Sequence, residues 1–353
     1  MKKFNETFIS LAPGVLYCIA IACLTFIVWG LFKPISSLMW AFIFSILVGN
    51  TLKIPRAINQ GVAFCSGRFL RGVIASLGIV TSATIWLRVG IGLLNVLVVI
   101  FFSLLFGIWF GEKMGLSKRL STLIGVGTSI CGASAIAATA TAIGAKEEEI
   151  GLSLAGITLF GLASMFLYPL LFVNTFVGPW LNESLNAYAI WVGSGVHETA
   201  QVVAAAGALG EGVIGPALSV KSVRIFMIGP VMILATFLFN KSSGDVSGIK
   251  RSKLVVPMFG VAFIVNSFLS AILDAYSPHL GFVELHWLSI KGALSGTLFP
   301  FLLSIAFAGV GSKVNFRSIA RLGLRPFAVS AIMAVSAGLL AFILAALVAP
   351  LVS

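Results

Sequence analysis

The run Gly-Thr-Ser-Ile-Cys-Gly-Ala-Ser, from Gly127 to Ser134, lies in an otherwise apolar stretch and holds residues that can break a helix and receive an anion. Gly127 and Gly132 tolerate irregular backbone. The hydroxyls of Thr128, Ser129 and Ser134, with the thiol of Cys131, can rebond the backbone groups that a break sets free. Gly296 and Thr297 repeat these ingredients just ahead of Pro300, a residue type favoured in the first turn of a helix. Half-helices beginning near Ala133 and near Pro300 would cross and aim two positive dipole ends at the bilayer centre, which is the chemistry of an anion site. A third constellation, WVGSGVHETAQVVAAAG from Trp191 to Gly207, places His197, Glu198 and Gln201 inside an apolar run. Ionisable groups are costly there and point to function. His197 and Gln201 share a helix face, with Ser194 one turn earlier, and Glu198 points about 100° away. His197 titrates near neutral pH and suits a coupling proton, with Glu198 as the second candidate. Asn50, following Gly49, is the remaining candidate for the solute site. Plainer readings stand beside these: small residues let membrane helices pack closely, and an interhelical hydrogen bond would account for His197 and Gln201.

Two pairs of cations share a spacing. Arg68 and Arg71 follow Ser66, and Lys221 and Arg224 follow Ser219, each pair three residues apart. They read either as snorkelling anchors at helix ends or as cations lining the access route of an anionic solute on opposite membrane faces.

The elements that would carry these residues are transmembrane helices. Of 353 residues, 59% are hydrophobic and 10% charged, against about 25% charged in soluble domains. Runs such as Leu94 to Phe110 are continuous rather than alternating, which indicates helices in lipid and not barrel strands. The expected fold is all-α and polytopic, with about 11 transmembrane helices near 12–32, 36–52, 69–86, 89–111, 121–144, 150–173, 186–208, 222–240, 254–275, 287–311 and 327–350. The N-terminal run is too long for a signal peptide and lacks a cleavage pattern, so it is expected as the first span. Most of the 23 Lys and Arg residues, among them Lys53, Arg56, Lys113, Lys118 and Arg325, fall on the side of an inside N-terminus. Lys33, Arg88, Lys146, Lys221, Arg224 and Lys291 are expected outside, and the bias places the N-terminus in the cytoplasm and the C-terminus in the periplasm. Setting aside the first helix (1–35) leaves two five-helix sets, 36–173 and 174–353. Five is odd, so the second set is inverted, an arrangement typical of secondary transporters.

The net charge of +12 sits between apolar runs, with no basic face interleaved with aromatics, so nucleic acid is not an expected partner. Cys18, Cys23, Cys65 and Cys131 show no pairing pattern and are expected as free thiols. Glu147, Glu148 and Glu149 read as a solvated turn, Asp274 and Glu284 as the flanks of a loop, and His279 and His286 as residues of that loop without metal-ligand spacing. No GxxxxGK[ST], HExxH or GxSxG pattern occurs, so no ATP-driven pump, hydrolase, metal or cofactor is expected.

At GTSICGASAIAATA (Gly127 to Ala140), at GVHETAQVVAAAG (Gly195 to Gly207) and at the cation pair before VRIFMIGP, the chain resembles the YeiH-like sulfate exporter family of bacterial inner-membrane proteins. The similarity runs from about Leu11 to the C-terminus. It implies the fold group of the cation/proton antiporters and anion transporters, with crossing broken helices, and export of sulfate or related sulfur oxyanions from the inner membrane. The chain departs from the cation antiporters in having Gly151, Leu152 and Ser153 where those carry a buried acidic pair. The expected function is therefore secondary transport of a small anion, coupled to a proton, sodium or the membrane potential, by a chain that is not an enzyme; a homodimer is one possible assembly. A passive anion channel and a non-transporting sensor or assembly protein are the competing readings.

Overall fold

The computed structural model describes residues 2–31, 36–52, 55–84, 90, 92–243, 258–276, 282–314, 316 and 323–352, and every regular element among them is helical. Among the described residues, six helices are long and apolar enough to cross a membrane: Ser10–Leu31, Gly92–Lys113, Glu147–Asn174, Met258–Tyr276, Ser289–Gly311 and Leu324–Val352. A seventh arises if Glu211–Phe226 and Ile228–Asn240, bent by 42°, count as one span. The other expected spans correspond to shorter pieces, and two of these are interrupted in mid-course. The described residues divide into two compact units, each assembled from separate stretches of the chain.

The first unit comprises 1–85, 210–215 and 258–316. Its helices are α1 (Lys2–Leu31), α2 (Ser37–Thr51), α3 (Asn59–Phe64) and α4 (Leu70–Leu77), followed later in the chain by α14 (Met258–Tyr276), α15 (Phe282–Ala293) and α16 (Phe299–Gly311). Ser36 caps α2, its hydroxyl accepting from Met39 N at 3.4 Å, which satisfies one of the orphan donors of a helix start. Glycine permits backbone contact between α1 and α3: a Cβ on Gly14 would come within 2.6 Å of Gly61 Cα. The α2–α16 contact is built on Phe42 and Phe307, with ring centroids 6.0 Å apart, and on Ser45, which donates to Phe307 O at 3.4 Å.

Two π-helical turns, Cys65–Phe69 between α3 and α4 and Leu294–Leu298 between α15 and α16, carry Ser-Gly at the same positions. The second of these corrects one expectation. The helix passes through Gly296 and Thr297 as a π turn and continues through Pro300, the second residue of α16, without a break. A π turn accommodates proline's missing N–H locally, because its widened ladder already omits one regular bond. His286 lies within α15 and not in a loop, whereas His279 and the Glu284 side chain fall outside the described residues. Asp274 accepts hydrogen bonds from Trp287 Nε1 at 2.9 Å and from Lys291 Nζ at 2.8 Å.

The second unit comprises 86–209, 216–257 and 317–353. It holds α5 (Gly92–Lys113), α6 (Lys118–Ser129), α7 (Ala133–Ile143), α8 (Glu147–Asn174), the short α9 (Val177–Trp180), α10 (Leu185–Gly195), α11 (Thr199–Gly207), the larger part of α12 (Glu211–Phe226), α13 (Ile228–Ser243) and α17 (Leu324–Val352). Ser117 caps α6 through Leu120 N at 3.2 Å, and Ser184 caps α10 through Ala187 N at 3.2 Å. Glu149 closes a capping box at the start of α8, accepting from Lys146 N at 2.9 Å. Small residues set the closest approach of α5 to α6, where a Cβ on Gly107 would lie 2.6 Å from Gly125 Cα. Leu94, Leu105 and Trp109 on α5 and Leu339 and Leu347 on α17 stay exposed, as expected of faces whose solvent is lipid.

Candidate functional site

Among the described residues of the second unit, two helices are interrupted by three non-helical residues each. The first break, at 130–132 between α6 and α7, falls where the glycines and hydroxyls of 127–134 predict it. Gly132 adopts φ +71°, a backbone state that L side chains rarely occupy. The second break, at 196–198 between α10 and α11, replaces the one expected near Pro300. Both breaks leave the last carbonyls of one half-helix and the first amides of the next without intrahelical partners.

The carbonyl ends of the two breaks converge on two side chains of α12. Lys221 Nζ donates to Ile130 O at 3.0 Å, Val196 O at 2.8 Å and His197 O at 2.6 Å, which engages all three of its donors. Arg224 donates through Nε to Ser129 O at 3.0 Å, through Nη1 to Val196 O at 3.2 Å and to Ser194 O, and through Nη2 to Thr128 O. Both side chains are fully buried. Lys221 and Arg224 stand three apart on α12 and so share a face. A buried cation is tolerated only when paired and hydrogen-bonded, and here the pairing is with the negative ends of two half-helices. This burial overturns the reading of Lys221 and Arg224 as snorkelling anchors in contact with the membrane surface. Arg68 and Arg71 share their spacing but are exposed on the first unit.

The amide ends meet as well. Glu198 is the N-cap of α11 and forms a reciprocal capping box with Gln201, whose Oε1 accepts from Glu198 N at 3.0 Å. The Glu198 side chain also lies against Gly132, the N-cap of α7: a Cβ there would stand 2.8 Å from Glu198 Cγ and 3.2 Å from its Oε1. Gln201 Nε2 donates to Thr158 O of α8 at 3.5 Å, so this side chain positions the break.

The structure brings Thr128, Ser129, Cys131, Gly132, Ser134, His197, Glu198, Gln201, Lys221 and Arg224 into one unit. Ser129 is buried, and its hydroxyl donates to Val126 O at 3.0 Å, rebonding the helix end. Cys131 is half-buried and Ser134 exposed; all four cysteines are free. His197 is fully buried, and among the described residues neither of its ring nitrogens has a hydrogen-bond partner; the same holds for the buried Thr128 Oγ1. Native proteins leave few buried polar atoms in this state, and those that remain point to water, an ion or a ligand. Gly296 and Thr297 are exposed on the first unit. Asn50 also belongs to that unit, where Nδ2 donates to Val314 O at 2.8 Å and Oδ1 accepts from Phe316 N at 3.0 Å, a role in holding the chain beyond α16.

Comparison with known proteins gives a consistent relationship. A family model described as "Conserved hypothetical protein 698" matches residues 13–330. The UPF0324 membrane protein of Pseudomonas aeruginosa is 30% identical over 334 residues, covering 92% of this chain and 90% of its own length. The UPF0324 membrane protein of Pasteurella multocida is 30% identical over 347 residues, 94% of each chain. The UPF0324 inner membrane protein YeiH of Escherichia coli is 29% identical over 345 residues, covering 94% and 93%. No solved structure matches. With its family model spanning most of the chain and its apolar helices, this membrane protein belongs to the YeiH-like UPF0324 family.

Proposed function

We propose that this chain is a secondary transporter of a small anion, with a sulfur oxyanion as the leading solute, acting by alternating access in a bacterial inner membrane. The observation that carries the reading is the meeting of two broken helices inside one unit, carbonyl ends on Lys221 and Arg224 and amide ends on Gly132 and Glu198. Irregular backbone at membrane depth is tolerated only where protein, solute or water satisfies it, and transporters use such breaks to bind ions and substrates. Lys221 and Arg224 set the positive field rather than grip the solute, because the Lys221 donors are all engaged. The groups with capacity left are His197 and Thr128, whose buried polar atoms have no partner among the described residues. Arg68 and Arg71 are the access-route cations on this reading.

The finer architecture belongs to the same proposal: eleven spans, the first followed by inverted sets at 36–173 and 174–353, with the N-terminus cytoplasmic, the C-terminus periplasmic and the chain paired as a homodimer. The coupling ion is a proton or sodium.

The test is uptake of radiolabelled sulfate and sulfite into proteoliposomes with and without an imposed proton or sodium gradient. Accumulation above the external concentration supports coupled transport. Equilibration without accumulation assigns a passive channel, and no uptake of either anion removes sulfur oxyanions from the proposal.

A further inference from the structure

The amide ends of the broken helices attract negative charge, and the protein already keeps a carboxylate there. Glu198 caps α11 from within the chain, while its side chain reaches Gly132 at the start of α7, with Oε1 3.2 Å from where a Cβ would stand. One carboxylate thus faces the first turns of two half-helices, of nine and eleven residues, at the position where a negative charge is most stabilised. Glycine at 132 is what admits it, since any side chain would collide with Glu198 Cγ at 2.8 Å.

The surroundings of this carboxylate are only partly closed. Glu198 and Cys131 are half-buried and Ser134 is exposed, so the carboxylate has a way out. Beside it, His197 is fully buried with both ring nitrogens lacking partners among the described residues, and Thr128 Oγ1 is in the same state. The charged groups that face the break are Lys221 and Arg224 from α12; α8 contributes Ile157, Thr158 and Gly161, which carry none. Lys221 and Arg224 are held by the carbonyl ends, and the amide ends, the place for an incoming anion, are taken by Glu198.

We propose that Glu198 is the resident anion of the broken-helix junction, a tethered carboxylate that a solute anion displaces in order to bind between Gly132 and the start of α11. This rests on the anion-transport reading above. In the displaced state the solute takes over the amide ends of α7 and α11, His197 supplies a donor that is idle while Glu198 is in place, and the carboxylate turns to the open side near Ser134. Solute binding and Glu198 docking are mutually exclusive, so the empty site never presents an unneutralised pair of amide ends.

The experiment uses the full-length protein in detergent, in a buffer whose only anion is chloride at a fixed concentration, with thermal unfolding read for the unaltered protein, Glu198→Ala and Glu198→Gln. The probes are sodium acetate and sodium sulfate. Without a probe, each variant should unfold about 3 °C lower, the effect of losing a helix cap. Acetate or sulfate should restore the loss in Glu198→Ala, and sulfate should bind both variants at least about tenfold more tightly than the unaltered protein, since it no longer competes with a carboxylate. Unchanged stability in the variants, a loss that neither probe recovers, or equal sulfate binding by unaltered and variant protein overturns the proposal. If Glu198→Ala does not yield monodisperse protein, Glu198→Gln, of the same volume, decides by its stability loss and its sulfate affinity. Rescue of Glu198→Ala by acetate, in a protein whose unaltered form moves no anion, would leave the tethered carboxylate standing and remove only the transport reading.

Discussion

Lys221 and Arg224 donate to the same carbonyl oxygen, that of Val196, at 2.8 and 3.2 Å. Val196 opens the second break, so two cations from one helix face bind a strand of backbone that no helix ladder could satisfy. Through their other donors the same two side chains hold Thr128, Ser129 and Ile130 at the first break. The breaks are therefore not independent features. They form one construction, keyed by α12.

Removing either key should destabilise the second unit as a whole. Arg224→Met leaves four hydrogen bonds to carbonyls unmade in a buried setting, and a loss of about 3–5 kcal/mol is expected on the scale of broken buried charge pairs. Arg224→Lys should recover part of it, because an ammonium cannot reproduce the guanidinium fork. Thermal unfolding of the two variants checks the order: unaltered, then Lys, then Met.

Gly132→Ala combines a positive φ with a collision against Glu198, whereas Gly144→Ala meets a positive φ of +61° and open space. The left-handed backbone alone costs about 1–2 kcal/mol, so Gly144→Ala should lose about that much and Gly132→Ala clearly more. Equal losses would mean that the Glu198 side chain does not rest on Gly132.

Replacing His197 by Leu should leave stability unchanged or raise it, since a buried imidazole without partners gains nothing from its polarity in the empty protein. The same variant should lose anion uptake in proteoliposomes. Lower stability together with normal uptake would assign His197 to the frame and not to the site.

Asn50→Ala should lower the unfolding temperature while leaving anion affinity intact, because Asn50 holds Val314 and Phe316 in the first unit. A loss of about 1 kcal/mol is expected for each hydrogen bond removed.

The sequence made some of this construction readable and hid the rest for physical reasons. Gly127, Gly132 and the hydroxyls between them announce a break because glycine and serine act locally on their own backbone. The break at 196–198 carries neither glycine nor proline. Its signal was the spacing of Glu198 and Gln201, a capping box set inside an apolar run; on an uninterrupted helix the same three-residue spacing only places two side chains on neighbouring positions of one face. Pro300 misled in the opposite direction, since a π turn absorbs it without a break. Lys221 and Arg224 matched Arg68 and Arg71 in spacing, yet one pair is buried and the other exposed. What separates them is a set of carbonyls 24 to 96 residues away, which no local pattern contains. The helical class and the membrane setting were legible throughout, because they rest on composition and on the length of apolar runs.

Solute binding where the two breaks meet has a native reporter in Cys131, half-buried in the first break. The measurement is the rate of N-ethylmaleimide labelling of Cys131 in proteoliposomes, with and without sulfate or sulfite at concentrations that raise the unfolding temperature, with glutathione in the same buffer as the control for reagent reactivity. Either anion should slow labelling of Cys131 several-fold and leave glutathione unchanged. Labelling of Cys131 at the same rate with the anion bound would place the solute elsewhere.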